Sequence, residues 1–243
     1  MEDQGEALNR RAKDKRKPAG KNVYGIIKKL QEENRELREI AYYDQHIKDL
    51  LNKKGFEKSV LPQIEFALEN DLNITFAFID MDKLKEVNDK YGHDAGDEML
   101  ALLGRVLNKY FKRGSDVIAI DHGSKIRPEV GKRGGDEFLL SLPLTSQEIV
   151  EERLNNAREE FENEAGSLIN DIVPSFSFGI ASMSEKLSDN YDRDKIQTGR
   201  IRVENVELGR VDGMEVLNDV LNVAEMRMYK NKNERGQART SLL

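Results

Sequence analysis

The sequence lacks cysteine altogether, which rules out disulfides, thiolate zinc sites and a cysteine nucleophile. It lacks any apolar run approaching the roughly 18 residues a membrane helix needs, so no span is expected within it. It also lacks net positive charge: the balance over 243 residues is −6, with 35% charged and 38% hydrophobic residues. An acidic chain is a poor general binder of nucleic acid, so any phosphate chemistry must draw on local cations, a metal ion or backbone N–H groups. The N-terminus is polar and basic rather than signal-like. A cytoplasmic location is expected, and the soluble part of a larger receptor would carry the same features.

What is present divides into three stretches. Residues 1–22 carry a basic cluster, Arg10, Arg11, Lys13, Lys15, Arg16, Lys17 and Lys21, with Pro18 and Gly20 as helix breakers. No aromatic residues interleave, so this reads as a disordered tail or linker. Residues 23–43 read as a coiled-coil helix. Ile27, Leu30, Asn34, Leu37 and Ala41 recur at spacings of three and four, an a/d seam within a charged exterior. Asn34 falls at an a position, where a polar residue sets the register of a parallel two-stranded coil. The bland alternative is an amphipathic helix packed on its own domain. Residues 44–243 read as the folded domain.

In that domain helix and strand patterns alternate. Helices are expected over 56–69, 99–110, 146–165 and 217–230, and strands over 74–79, 116–120, 137–142 and 174–181. This predicts an α+β fold with helices on a mostly antiparallel sheet. Residues 121–132 and 182–213 fit no element, although the second stretch carries Ile201, Val203, Val206, Leu208 and Val211, a candidate hairpin.

Three signals carry chemistry. In Arg133-Gly134-Gly135-Asp136-Glu137-Phe138, two glycines let backbone approach a ligand and two carboxylates follow. Alternation along a strand sets Asp136 and Glu137 on opposite faces. Gly-Gly alone is ordinary hairpin chemistry. Asp80-Met81-Asp82 ends a buried strand, and a hard cation such as Mg²⁺ takes one or two carboxylates plus phosphates, which Asp80 and Asp136 would supply. Acids capping a strand end are the plain alternative. Asn88 to Asp97 supplies amide and carboxylate groups able to read a purine edge, the carboxylate accepting from guanine N–H groups. The plain alternative here is a polar helix–loop–helix with Gly92 and Gly96 as turn residues.

Taken in order, Asp80-Met81-Asp82-Lys83-Leu84-Lys85, Asn88-Asp89, Tyr91-Gly92-His93, Gly96-Asp97 and Arg133 to Phe138 resemble the GGDEF family of diguanylate cyclases. Ser177-Phe178-Gly179-Ile180-Ala181 resembles the family's S-x-G-I-A strand, and Ala224-Glu225, Met228-Tyr229 and Lys232 resemble its last helix. The resemblance covers about residues 44–240. It implies a nucleotidyl-cyclase-like fold and the joining of two GTP into cyclic di-GMP, one GTP held by each domain of a dimer set face to face by the coiled coil. It also implies roles. Asp80, Asp136 and the Met81 carbonyl would hold Mg²⁺, with Mn²⁺ as a substitute. Glu137 would join the metal shell or take the proton of the attacking 3′-hydroxyl. Gly134 and Gly135 would lie against phosphate, and Asn88 and Asp97 would read guanine. Lys85 and Lys232 would neutralise the triphosphate, with Arg235 beside them. Arg113 and Asp116, in Arg113-Gly114-Ser115-Asp116, resemble the family's R-x-x-D site for inhibitory cyclic di-GMP, or form an ordinary helix end and turn.

The chain departs from the family in places. Gln45 and Lys48 stand where the family has Asp and Thr after the stalk. Arg235 precedes Gly236, the reverse of the family's K-x-x-G-R ending. Residues 121–132 read as an insertion before the signature, and 182–213 as an overlong connection. The rival readings are a catalytically inactive module that binds GTP or cyclic di-GMP, a cyclase of altered base choice, and a coiled-coil scaffold.

Overall fold

The structure, a computed structural model, describes residues 19–112, 118–119, 125–189, 196–197, 200–201 and 212–240. The basic tail up to residue 18, Arg113, Asp116 and most of 190–211 lie outside the described residues. Helix α1, Ala19–Tyr42, runs for 24 residues. The chain divides at its end, Ala41 closing one compact unit and Tyr42 opening the other. Along α1 the seam residues Ile27, Leu30 and Leu37 are 47%, 58% and 65% exposed.

The second unit is built on a five-stranded sheet of β1 (Leu51–Asn52), β2 (Ile74–Asp82), β5 (Glu129–Gly134), β6 (Glu137–Pro143) and β7 (Ser175–Ser182). Their order is β1-β5-β6-β2-β7. All pairings are antiparallel except β1 with β5. β2 is an interior strand and all nine of its residues are buried, because its even and odd positions face different cores. Ile74, Phe76 and Phe78 pack with α2 (Lys53–Glu69) and α7 (Gly213–Thr240), whereas Ala77, Ile79 and Met81 pack with α4 (His93–Phe111) and α5 (Gln147–Leu168). Each buried Phe contributes about 1.5–3 kcal/mol relative to exposure, so the two cores anchor the sheet from both sides. This is the expected α+β architecture.

Two expectations are corrected. The stretch 121–132 is not all insertion, because Glu129–Lys132 is the first part of β5, paired with β1 and β6. Ile118–Ala119 (β3) pairs instead with Lys125–Ile126 (β4), away from the main sheet. Gly131 hid β5 from the pattern. A Cβ there would come within 2.8 Å of Phe56, so the strand keeps a residue of poor strand propensity to admit that ring. Gly96 is not a turn residue but a buried position within α4. The chain turns at Gly92, whose φ of +88° separates α3 (Leu84–Tyr91) from α4. As expected, Asp80-Met81-Asp82 ends β2, and both acids lie within the ladder. The connection after β7 begins with α6 (Met183–Asp189), and the described Ile196–Gln197 (β8) and Arg200–Ile201 (β9) pair as a small hairpin.

Candidate active site

The site forms where β2, β6 and β7 end beneath α7. Asp80 lies opposite Glu137 on one side and Ser177 on the other. Asp82 lies opposite Ser175. The tight turn Gly135–Asp136, with Gly135 at φ +49°, brings Asp136 back to β2, where its carbonyl accepts from Met81 N at 3.2 Å. Gly134 and Gly135 are exposed, so their backbone is open to approach. Asp136 sits in this turn rather than in the strand, and its charge reaches Asp80.

Asp80 is only 7% exposed. Burial lifts its carboxyl above the ordinary carboxylate value, against the hydrogen bond and charge of Lys232 and with the help of Asp136 and Asp82. Lys232, on α7, donates to Asp80 and lies 3.7 Å from Asp82. Burial opposes its charge, but the neighbouring carboxylates raise its pKa overall. Glu137 is raised too, first by burial and then by Glu225, Asp136 and Asp80, with Arg133 opposing.

Arg133 sits at a bulge, where the β5–β6 register slips between Lys132 and Gly134. Its guanidinium lies 5.0 Å from the Phe78 ring centre and donates to Glu225 at 3.1 Å. Asn88 and Asp97 flank the Gly92 break. Asp97 is exposed, while Asn88 Oδ1 is buried against Gly96 without a hydrogen-bond partner. Lys85 is exposed in the first turn of α3.

The structure therefore gathers Asp80, Met81, Gly134, Gly135, Asp136, Glu137 and Lys232 into one neighbourhood. Arg235 joins them, but its guanidinium is already engaged with β7 and Asp82. Asp82, Ser175, Ser177, Glu162, Arg133 and Glu225 were given no role from sequence, although Asp82 shares the strand parity of Asp80 and signals its own position. Glu162 gives no such signal among the many glutamates of α5. Arg113 and Asp116 lie outside the described residues.

The donor set suits a hard divalent cation. The Asp136 charge reaches Asp80, and a cation between them would offset both the burial and the neighbouring carboxylates that lift Asp80. Among the described residues no three acids or histidines are placed to hold one metal ion together, so phosphates and water would complete the shell, as Mg²⁺ prefers. None of the described helices is long and apolar enough to cross a membrane.

A family model described as "Diguanylate cyclase, GGDEF domain" matches residues 41–198. The probable diguanylate cyclase DgcE of Escherichia coli is 32% identical over 120 residues, 49% of this chain and 10% of DgcE. Diguanylate cyclase TpbB of Pseudomonas aeruginosa is 34% identical over 119 residues, 49% of this chain and 24% of TpbB. The cyclic di-GMP phosphodiesterase NbdA of P. aeruginosa is 26% identical over 157 residues, 63% of this chain and 18% of NbdA. The chain thus spans less than a third of each of these relatives. Among solved structures, the coiled coil and GGDEF domain of DgcB from Caulobacter crescentus, in complex with c-di-GMP, superposes with a TM-score of 0.61 at 19% identity, covering 88% of this chain and 92% of that one.

Proposed function

Because the chain belongs to the GGDEF family of diguanylate cyclases, we propose that it joins two GTP molecules into cyclic di-GMP with release of pyrophosphate. The observation that carries this reading is the undamaged signature turn, Gly134-Gly135-Asp136-Glu137, closed onto Asp80 and facing Lys232. A degraded module would have no need to keep two exposed glycines and four acids at one strand end.

The reaction is an in-line displacement in which the 3′-hydroxyl of one GTP attacks the α-phosphorus of the other. Mg²⁺, or Mn²⁺ in its place, would neutralise phosphate charge when held by Asp80, Asp136 and the main chain at Met81. Gly134 and Gly135 admit the phosphates to their backbone. Lys232 and Lys85 offset triphosphate charge. Glu137, whose carboxyl burial lifts above the ordinary value, is in its ionised form the stronger base for accepting the hydroxyl proton. Asn88 and Asp97 read the guanine edge. Since each domain holds one GTP, two copies must meet, and α1 with its exposed seam supports a parallel homodimer as the means. Cyclic di-GMP would return to Arg113 and Asp116 as an inhibitor.

A second reading is favoured by the similarity to NbdA, a protein named for cyclic di-GMP breakdown: a module that binds GTP or cyclic di-GMP without turnover. Incubation with GTP and Mg²⁺, followed by chromatography of the nucleotides, separates the two. Cyclic di-GMP is expected from the parent. Asp136→Asn should lower the rate by at least about a hundred-fold, since a metal ligand is worth several kcal/mol in the transition state, while leaving the far-UV spectrum intact. GTP bound but unconsumed by the parent would establish the second reading instead.

A further inference from the structure

Lys232 and Arg235 stand three residues apart on α7 and so project from one side of the helix. Lys232 reaches Asp80. Arg235 turns the other way, into the end of the sheet. Its Nη1 donates to the Phe176 carbonyl at 2.7 Å and lies 3.3 Å from Asp82 Oδ2 and 3.5 Å from Ser177 Oγ. Its Nη2 donates to Ser175 Oγ at 2.9 Å and lies 3.5 Å from Glu162 Oε1. The partners come from β2, β7 and α5, and the Arg235 side chain is 29% exposed.

Asp82 is the anion at the centre. It is 8% exposed, and both its oxygens lie 3.0 Å from Ser177 Oγ, which donates to them. A carboxylate this buried is tolerable only with charged or hydrogen-bonding partners. It has Arg235 at one oxygen and Lys232 3.7 Å from the other. Asp82 thereby holds Lys232 and Arg235 of α7 to the strand end. For Arg235 to grip a phosphate, it would have to leave Asp82, the Phe176 carbonyl and both serines.

We propose that Arg235 and Asp82 are positioning residues. With Ser175 and Ser177 they form a bracket that fixes the Lys232 ammonium beside Asp80, and Arg235 does not itself bind the triphosphate. The inference rests on the cyclase reading for its kinetic consequence, not for the bracket itself. The fork geometry matters because only a planar guanidinium can serve the Phe176 carbonyl, Asp82 and Ser175 together, which a lysine cannot.

The test compares Arg235→Lys, Arg235→Ala, Asp82→Asn and their double variants in the full chain, with unfolding curves confirming a folded protein. A bracket predicts that Arg235→Lys behaves like Arg235→Ala. In both, kcat/KM for GTP falls by the same amount, between about ten- and a hundred-fold, as expected for misplacement by about an ångström. The Arg235→Ala and Asp82→Asn losses should not add, since they break one network. Ser177→Ala, a milder change less prone to unfold the protein, should give a smaller loss in the same direction. A phosphate-binding Arg235 predicts the opposite: substantial rescue by lysine and additive losses.

A second readout needs no nucleotide. Acetylation of Lys232 by a soluble acylating reagent, measured by mass spectrometry against Lys230, should quicken several-fold in Arg235→Lys and in Asp82→Asn. Unchanged Lys232 reactivity in both would overturn the bracket. A parent that turned over no GTP would refute the cyclase reading alone, and acetylation would still decide the bracket.

Discussion

At Asp97 one exposed carboxylate is assigned the choice of base. Guanine presents N–H donors to it and adenine does not, so Asp97→Ser should let ATP compete. A hydrogen bond to a charged group is worth about 1.5–3 kcal/mol, hence roughly a ten- to hundred-fold loss of discrimination in a mixed-nucleotide assay. Its neighbour Gly96 offers a separate check. A Cβ there would strike the Asn88 amide, the mobile end of a side chain, while alanine favours the helix by about 1 kcal/mol over glycine. Gly96→Ala should therefore leave stability within about 1 kcal/mol by urea titration yet raise KM for GTP, by displacing Asn88. The sequence made Asp80, Asp136, Asn88 and Asp97 legible as motif positions. The surroundings of Arg235 were not legible, because its partners Asp82, Glu162, Ser175 and Phe176 lie far away in the chain and meet it only when α7 lies across the sheet.

Among the elements, β2, β6 and β7 were plain from their runs of β-branched and aromatic residues, whereas β5 was masked by Gly131 and by charged Glu129 and Lys132. Glu129 explains itself once the fold is known: it is 2% exposed and accepts from Ser59 and from Arg127 at 2.5 and 2.7 Å. α7 packs tightly on β7 at Gly179, where a Cβ would run into the backbone of Ala224, Arg227 and Met228. Backbone cannot yield as a side chain can, so Gly179→Ala should destabilise by about 1–3 kcal/mol or more, seen as a lowered urea midpoint with an unchanged slope. On the opposite face α4 and α5 are clasped by Lys109 with Glu160 and by Arg105 with Glu164. The Lys109 hydrogen bond holds the Glu160 carboxyl below its ordinary value. A depressed carboxyl lends stability above its unfolded pKa and loses it as pH falls through the folded value, so this clasp should open only in acid. In Lys109→Met the Glu160 carboxyl resonance should titrate at higher pH than in the parent.

For the whole molecule, the α+β class was readable from the alternation of patterns, and the helix α1 from its a/d spacing. The 190–211 stretch was unreadable for want of periodicity. With Ile27, Leu30 and Leu37 bare on a single chain, association is the expected fate of α1. Asn34→Ile should tighten that association and broaden the oligomer distribution in sedimentation, while a strictly monomeric parent that remained active would remove the stalk from the reaction. The close seat of α7 on Gly179 has a last consequence. A helix advances about 1.5 Å per residue, and Glu225, Lys232 and Arg235 are all carried on this one rod. With its backbone wedged against a glycine, the rod acts like a rack held by a single tooth: it cannot creep lengthwise, so the three charges keep a common datum along its axis. For the proposed cyclase, control would then work by bringing two finished halves together rather than by retuning either half.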